Sequence, residues 1–521
     1  MRSIFATVLL IPLSVLASPL GTYQQGQEQP YLAPLNAGGE HIDDSYIVVF
    51  KKGVDPSQIA LHLAGVDEWH GSNPLRSSDD GEDAANGGIN HVYAPTLDKF
   101  GYYGYAGKFS ASTLEAIRAS PIVDYVEHDQ LVHTMEIPQG VDEDSAPKDT
   151  VSGIVTKIGS PWGLARISHR DPLHLSTFTR YTYDANGGDG ITAYVIDTGI
   201  NIDHVEFEGR AKWGKTIPQN DVDKDGNGHG THCAGTIASR KYGVAKAAQL
   251  VAVKVLGSNG SGSMSDVVAG VVWAAEHAAA AAKAAAQELA ATGKTKHKGS
   301  VANMSLGGGK ARSLDEAVDA AVEAGLHFAV AAGNDNKDAC NYSPAAAEKA
   351  VTVGASTLGD ERAYFSNHGK CVDVFAPGLN ILSTWNTGNQ STNTISGTSM
   401  ASPHIAGLLA YLLSIHGSET FTILENGSIA ELDGASQASI YAKAYSLLPS
   451  FAQAVLPQPA ASIVELEDDE FAPIPKNQTL TPAKLKKALI ALASPGMLTD
   501  LPSGTPNLLA FNNATSTEHK K

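Results

Sequence analysis

From Pro161 onward the chain alternates short, largely apolar runs with stretches of helical period. Ile191 to Ile196, Leu250 to Leu256, Val301 to Met304, Phe328 to Ala332, Val351 to Val353 and Val372 to Phe375 are the runs. Met264 to Leu289 and Leu314 to Ala324 are among the helical stretches between them. A strand that is apolar on both faces must be covered on both. The pattern therefore predicts an α/β fold: a doubly wound parallel sheet with helices on each side. In such sheets ligands gather at the carboxyl ends of the strands, so the polar residues that follow each run come first in the search for chemistry.

Three segments stand out there: Asp197-Thr198-Gly199, Gly228-His229-Gly230-Thr231-His232 and Gly397-Thr398-Ser399-Met400-Ala401-Ser402-Pro403-His404. They place an acid, an imidazole and a hydroxyl in the order Asp, His, Ser, one of the orders in which unrelated folds assemble a charge-stabilised nucleophile. Asp197, at the end of a buried strand, can hold an imidazole in one tautomer; alone it would read as a turn or capping residue. Asp-Thr-Gly also occurs in aspartic proteases, but those need a second such segment, and none is present. His229, between two glycines, can act as general base and then as general acid. His232 competes for that role but falls nearly one turn further into the helix. Ser399 opens a helix lined by Met400, Ile405, Leu408 and Leu409. Pro403 is expected in the first turn of that helix, where its missing N–H costs nothing. The helix N-terminus favours negative charge on the nucleophile and on an oxyanion. An esterase of the α/β-hydrolase type is excluded, because that fold places Ser before its partners. A non-catalytic scaffold on this fold would show a lost member of the trio, and none is lost.

Asn334, after Phe328 to Ala332 and Gly333, can donate its amide to an oxyanion together with the Ser399 N–H. Gly260-Ser261-Gly262 and Ser305-Leu306-Gly307 suit an extended peptide paired by strand addition. The cleft segments carry no acidic residue, which predicts a preference for apolar or aromatic side chains before the scissile bond. Asp221 to Gly226 imitates the start of a calcium-binding EF-hand loop, but its twelfth position would be His232 rather than Glu, so the loop is excluded.

The rest of the 521 residues is too long for one core and divides by composition. Residues 1–17 read as a signal peptide: Arg2, an apolar run from Ile4 to Leu16, and Val15-Leu16-Ala17 before the cleavage point. The run falls short of a membrane span, and no later stretch supplies one. Residues 45–132 show a β-α-β-β-α-β order, a small ferredoxin-like α+β domain. Residues 134–160 read as a linker. Residues 419–476 read as an insertion low in regular pattern, and the run Ala274 to Ala291 as an exposed helix. The formal charge of −18 disfavours nucleic acid and anionic membranes as partners. Of three cysteines, Cys340 and Cys371 are the expected disulfide, and Cys233 a buried free thiol.

The chain resembles the subtilisin-type serine proteases, and within them the proteinase K branch that includes the fungal vacuolar proteases. The resemblance rests on Pro161 to Arg170, Asp225 to Ala238, Ala302 to Gly309, Tyr364-Phe365-Ser366-Asn367, Phe375-Ala376-Pro377-Gly378 and Ser396 to Gly407. It implies a serine endopeptidase acting on polypeptides, with Asp197, His229 and Ser399 as the triad and Asn334 as oxyanion donor. Gly260 to Gly262 and Ser305 to Gly307 become the substrate cleft. Residues 18–135 become an inhibitory propeptide with its core at 45–132, removed by self-cleavage near Met135. Residues 136–521 become the catalytic domain, with its core at 160–417 and 480–512. No cofactor is required; a structural calcium is an option, with Asp373 as the matching carboxylate. A monomer delivered by the secretory pathway is expected, to the vacuole or, alternatively, to the exterior. Among the Asn-X-Ser/Thr sequons, Asn426, Asn477 and Asn513 are the favoured glycosylation sites.

Overall fold

The computed structural model describes residues 31–75, 87–93, 101–138, 148–151, 153–418, 420–422, 429–430, 463–464 and 480–514. The expected signal peptide, most of the 419–476 insertion, and the sequons at Asn426 and Asn477 lie outside the described residues.

The first domain contains β1 (His41–Phe50), α1 (Pro56–Ser72), β2 (Gly88–Tyr93), β3 (Gly104–Lys108), α2 (Ala111–Arg118) and β4 (Val123–Thr134). The strands form an antiparallel sheet in the order β4-β1-β3-β2, the ferredoxin-like arrangement. Each helix begins at a side-chain cap, Asp55 accepting from Ser57 N and Ser110 from Thr113 N. The apolar run of β1 has no polar face, and the reason is visible in its two neighbours. Tyr46, Val48 and Phe50 pack on the domain's own helices with Ile59, Val66 and Ile117. Ile47 and Val49 point the other way, into a cluster with Val267, Val271 and Leu314 of the second domain. The period-two alternation of a strand thus serves two cores at once.

The second domain contains β5 (Ile191–Asp197), β6 (Ala211–Thr216), α3 (His229–Ala238), β7 (Gln249–Lys254), β8 (Ser261–Ser263), α4 (Met264–Thr292), β9 (Gly299–Met304) and β10 (Leu306–Gly309). It continues with α5 (Arg312–Glu323), β11 (His327–Ala331), β12 (Val351–Ser356), β13 (Val374–Pro377), α6 (Thr398–Ile415), α7 (Pro482–Leu492), β14 (Ser494–Pro495) and β15 (Leu508–Leu509). The central sheet runs β6-β7-β5-β9-β11-β12-β13-β15-β14. All its pairings are parallel except the last, β15 with β14. One face is covered by α3, α6 and α7, the other by α4 and α5. α6 is apolar enough and long enough to cross a membrane by composition, but every residue of it is buried; it is the core helix of the domain.

Four expectations need correction. The segment 134–160 is not an unstructured linker throughout. Ile137–Pro138 pairs with Thr392–Ser396, and Ile154–Lys157 pairs with Tyr181–Asp184; these strands are too short for their period to emerge from the Gly and Asp around them. The alanine-rich part of α4 is not wholly exposed, since Ala274, Ala275 and Ala278 are buried on the sheet. Pro403 lies inside α6 rather than in its first turn. Its missing N–H frees the carbonyl of Ser399 four residues earlier, and that oxygen instead accepts from Ser305 Oγ at 2.8 Å and Cys233 Sγ at 3.5 Å. Finally, Asn513 is buried and its Nδ2 donates to Thr420 O, so the nitrogen that would carry a glycan is already used. The Cys340–Cys371 disulfide is present, and Cys233 is a buried free thiol.

Candidate active site

Asp197 closes β5, and His229 is the first residue of α3. His229 Nδ1 lies 2.8 Å from Asp197 Oδ1 and 3.0 Å from Oδ2, both side chains fully buried. Burial, the largest single influence, lowers the imidazole pKa, but Asp197 and Cys233 together outweigh it, and His229 is raised well above its ordinary value. The two loops that carry these residues are fastened by a third acid that the sequence reading set aside with its EF-hand-like run. Asp225 Oδ1 accepts from Thr198 Oγ1, Asn227 N and Gly228 N, and its Oδ2 accepts from Thr231 N and Oγ1. Thr198 Oγ1 in turn accepts from Gly230 N. Gly230 has no room for a side chain, because a Cβ there would overlap Gly199 O. Asp225 is therefore a structural organiser of the Asp–His pair. The signal for it was the spacing of small residues on both sides, which needs an acceptor to close on.

His232 is not the competing base. Its Nε2 bonds to the carbonyls of Ile381 and Asn393, and burial drives its pKa down to about 3.

Ser399 is the second residue of α6, fully buried, and its Oγ donates to Ser305 O at 2.9 Å. His229 Nε2 makes no hydrogen bond among the described residues. Cys233 bridges the two regions, with Sγ 4.0 Å from His229 Nδ1 and donating to Ser399 O. Asn334 is fixed by Thr398, whose N and Oγ1 both donate to Asn334 Oδ1. That orientation turns the amide Nδ2 the other way, and a Cβ on Gly397 would lie 3.2 Å from it. Asp197, His229 and Cys233 also bring three potential metal-ligating atoms within 4.8 Å of one another. As a metal site the trio is poor: Nδ1 is already engaged by the carboxylate, and burial pushes the Cys233 thiol up, away from the thiolate a metal needs.

The two cleft segments are filled by the end of the first domain. β4 pairs antiparallel with β8 through Leu131, Val132 and His133, and with β10 through His133 and Thr134. Thr134 N donates to Gly260 O and Met135 N to Ser305 O. This is strand addition with the chain's own residues. Val132 is buried among Leu256, Met264 and Leu306. The Met135 methyl lies over Gly307, 2.6 Å from where a Cβ would stand. A Cβ on Gly397 would overlap Met135 O, so the Met135 carbonyl and the Asn334 amide converge on one face of Gly397. The next residue, Glu136, was not singled out from the sequence. Its Oε2 is 3.8 Å from His229 Nε2, and neither atom has a hydrogen-bond partner among the described residues. Burial raises the Glu136 pKa, opposed by His229 and supported by Asp197 and Asp225.

Further from the cleft, the first domain caps both helices on that face of the sheet. Glu127 Oε1 and Oε2 accept from Arg312 N and Ser313 N at the start of α5, a helix whose own N-cap residue, Ala311, offers no side-chain acceptor. Asp129 accepts from Ser265 N and Oγ at the start of α4. Carboxylates at helix N-termini gain both hydrogen bonds and dipole attraction.

Asp373 does not suit the calcium that the resemblance allowed. Its Oδ2 is 2.9 Å from Lys486 Nζ and accepts from Thr352 N, so an ammonium already stands where a cation would be held.

An imidazole oriented by a carboxylate, a hydroxyl at a helix N-terminus and a cleft that takes a peptide as an extra strand define the machinery of a serine endopeptidase. The family models and the curated relatives agree. A model of the subtilase family matches residues 188–431, and one of the peptidase inhibitor I9 family matches residues 45–135. The chain is 51% identical over 525 residues to subtilisin-like serine protease Pen c 2 of Penicillium citrinum, covering 99% of this chain and 97% of that protein. It is 50% identical over 526 residues to alkaline protease 2 of Aspergillus fumigatus, covering 99% of this chain and 90% of that protein. A solved cold-adapted subtilisin-like serine proteinase is 37% identical, covers 68% of this chain and 98% of its own, and superposes with a TM-score of 0.49. The chain belongs to the subtilase family and is a serine endopeptidase with an I9-type inhibitor domain.

Proposed function

We propose that the chain is a zymogen of the secretory pathway that cleaves itself between Met135 and Glu136 and then hydrolyses polypeptides with a preference for apolar side chains. The observation that carries this reading is the placement of Met135 and Glu136 across the Ser399–His229–Asp197 constellation. Ser399 Oγ attacks the Met135 carbonyl carbon, and His229 Nε2 accepts the hydroxyl proton. Asp197 holds the ring with Nδ1–H directed to its carboxylate and stabilises the imidazolium. The developing oxyanion receives hydrogen bonds from the Asn334 amide and the Ser399 N–H. His229 passes its proton to the Glu136 nitrogen, which leaves as the new amino terminus. Water activated by the same imidazole then releases Met135 from the acyl-enzyme. The reaction needs no cofactor.

The specificity follows from what the cleft holds now. Met135 and Val132 occupy the two apolar positions, and the walls at Gly260 to Gly262 and Ser305 to Gly307 offer no carboxylate to a basic side chain. The cleaved first domain, still bound through Glu127 and Asp129, remains as an inhibitor until it is degraded. We further propose that the mature enzyme is a monomer with no nucleic-acid or membrane partner, delivered to the vacuole, with secretion as the alternative. N-terminal sequencing of the purified wild-type chain beside Ser399→Ala tests the reading. It expects a new terminus at Glu136 in wild type only; a wild-type chain that stays intact, or a Ser399→Ala chain cut at the same bond, would overturn it.

A further inference from the structure

Three oxygen atoms from two loops converge on one point at the base of the central sheet. Glu348 O and Ala350 O, two residues apart, come from the segment that leads into β12. Asp373 Oδ2 comes from the residue before β13. The point is occupied by Lys486 Nζ of α7, at 2.9 Å from Glu348 O, 2.6 Å from Ala350 O and 2.9 Å from Asp373 Oδ2. An ammonium has three N–H donors and no acceptor, and here each donor has its own oxygen.

This is not an ordinary surface ion pair, which contributes little. Two of its three partners are main-chain carbonyls, and the carboxylate is held in register by Thr352 N, at 2.8 Å on the same Oδ2. Asp373 N also donates to Thr352 O. Burial raises the Asp373 pKa and Lys486 opposes that rise, so the carboxylate depends on a neighbouring positive charge. Two peptide carbonyls and a carboxylate, with the lysine and aspartate side chains still 18% and 22% exposed to water, are also the donor set of a hard divalent cation completed by water. Such a cation binds oxygen at about 2.3 to 2.6 Å. It cannot share these oxygens with an ammonium at hydrogen-bond distance from all three.

We propose that Lys486 is a tethered replacement for a structural divalent cation. Its ammonium ties α7, β12 and β13 together without metal, and its removal uncovers a Ca2+ site made of Glu348 O, Ala350 O and Asp373.

The test is thermal melting of the full-length chain carrying Ser399→Ala, which cannot digest itself, in chelator and in about 5 mM Ca2+, above the ~10⁻³ M dissociation constants of weak calcium modules. Adding Lys486→Met lowers the melting temperature in chelator by roughly 5 °C. Calcium then restores more than half of the loss, and a further Asp373→Asn substitution abolishes the rescue. In the chain that retains Lys486, Asp373→Asn leaves the response to calcium unchanged. Two results overturn the proposal: a calcium response in the Lys486→Met chain no larger than in its parent, or a calcium response of the parent that shrinks when Asp373→Asn is introduced. The second comparison decides the matter by itself if Lys486→Met does not fold.

Discussion

Glu136→Gln should move the pH dependence of self-cleavage to lower pH. In the uncleaved chain Glu136 Oε2 stands 3.8 Å from His229 Nε2, the atom that must accept the Ser399 proton. At that distance and an effective dielectric constant near 20, attraction between a carboxylate and an imidazolium is about 4 kcal/mol. The Glu136 side chain retains 20% exposure, and desolvation offsets part of the gain, so about half, ~2 kcal/mol, is carried forward. That corresponds to a pKa difference of ~1.5 units. The sign follows from the direction of the His229 shift. His229 is already raised by Asp197, and Glu136 raises it further in the uncleaved chain. The base form therefore appears only as pH climbs past that raised value, and self-cleavage speeds up with it. Removing the carboxylate lowers the value, so the midpoint of the rate profile should fall by about 1.5 pH units. The assay follows conversion of precursor to mature chain on gels after rapid transfer to a series of pH values. A midpoint that is unchanged, or that moves upward, would refute the reasoning. Mature wild-type and mature Glu136→Gln enzymes acting on one external peptide should share a single profile, because the effect belongs to the tethered residue.

Other expectations follow from the same geometry. Asn334→Ala should lower kcat by ~10² to 10³ with little change in KM, the magnitude known for a subtilisin oxyanion asparagine; steady-state kinetics on a peptide amide measure it. Glu127→Ala removes the acceptor for Arg312 N and Ser313 N, charge-assisted bonds of ~1.5 to 3 kcal/mol. The separate first domain should then inhibit mature enzyme at least ~10-fold less tightly by titration. Arg166→Ala leaves Asp360 buried without the guanidinium that now contacts it at 2.6 and 3.1 Å. Denaturant unfolding of the Ser399→Ala chain should show a loss of ~3 to 5 kcal/mol.

Much of this fold was legible because its strands are apolar on both faces. Ile191 to Ile196 and Phe328 to Ala332 could only belong to a covered parallel sheet, and the polar residue or turn after each run marked the carboxyl edge where Asp197 and Asn334 stand. The proposed trio stood out because each member sits among residues too small to be there for packing. What escaped had no local signature. Asp225 was passed over inside a run that only imitates a calcium loop, because a carboxylate rich in main-chain donors and one rich in metal have the same neighbours in sequence. Glu136 looked like linker, since its partner is an imidazole 93 positions further along the chain. Nothing in the sequence marked Lys486, and only the fold brings it to Asp373 and to the carbonyls of Glu348 and Ala350. Pro403 was placed one turn too early because helix starts are read from caps, and Gly397 offers no side-chain cap to read.

The central claim is that Ser399, activated by His229 and Asp197, is the nucleophile. Treating the purified wild-type, Ser399→Ala and His229→Ala chains with a fluorophosphonate, and locating the adduct by peptide mass spectrometry, tests it most directly. The account predicts one modified residue, Ser399, in wild type, none in Ser399→Ala and little in His229→Ala. A phosphonylated wild-type chain with its adduct on any other residue, or labelling that persists in Ser399→Ala, would contradict it.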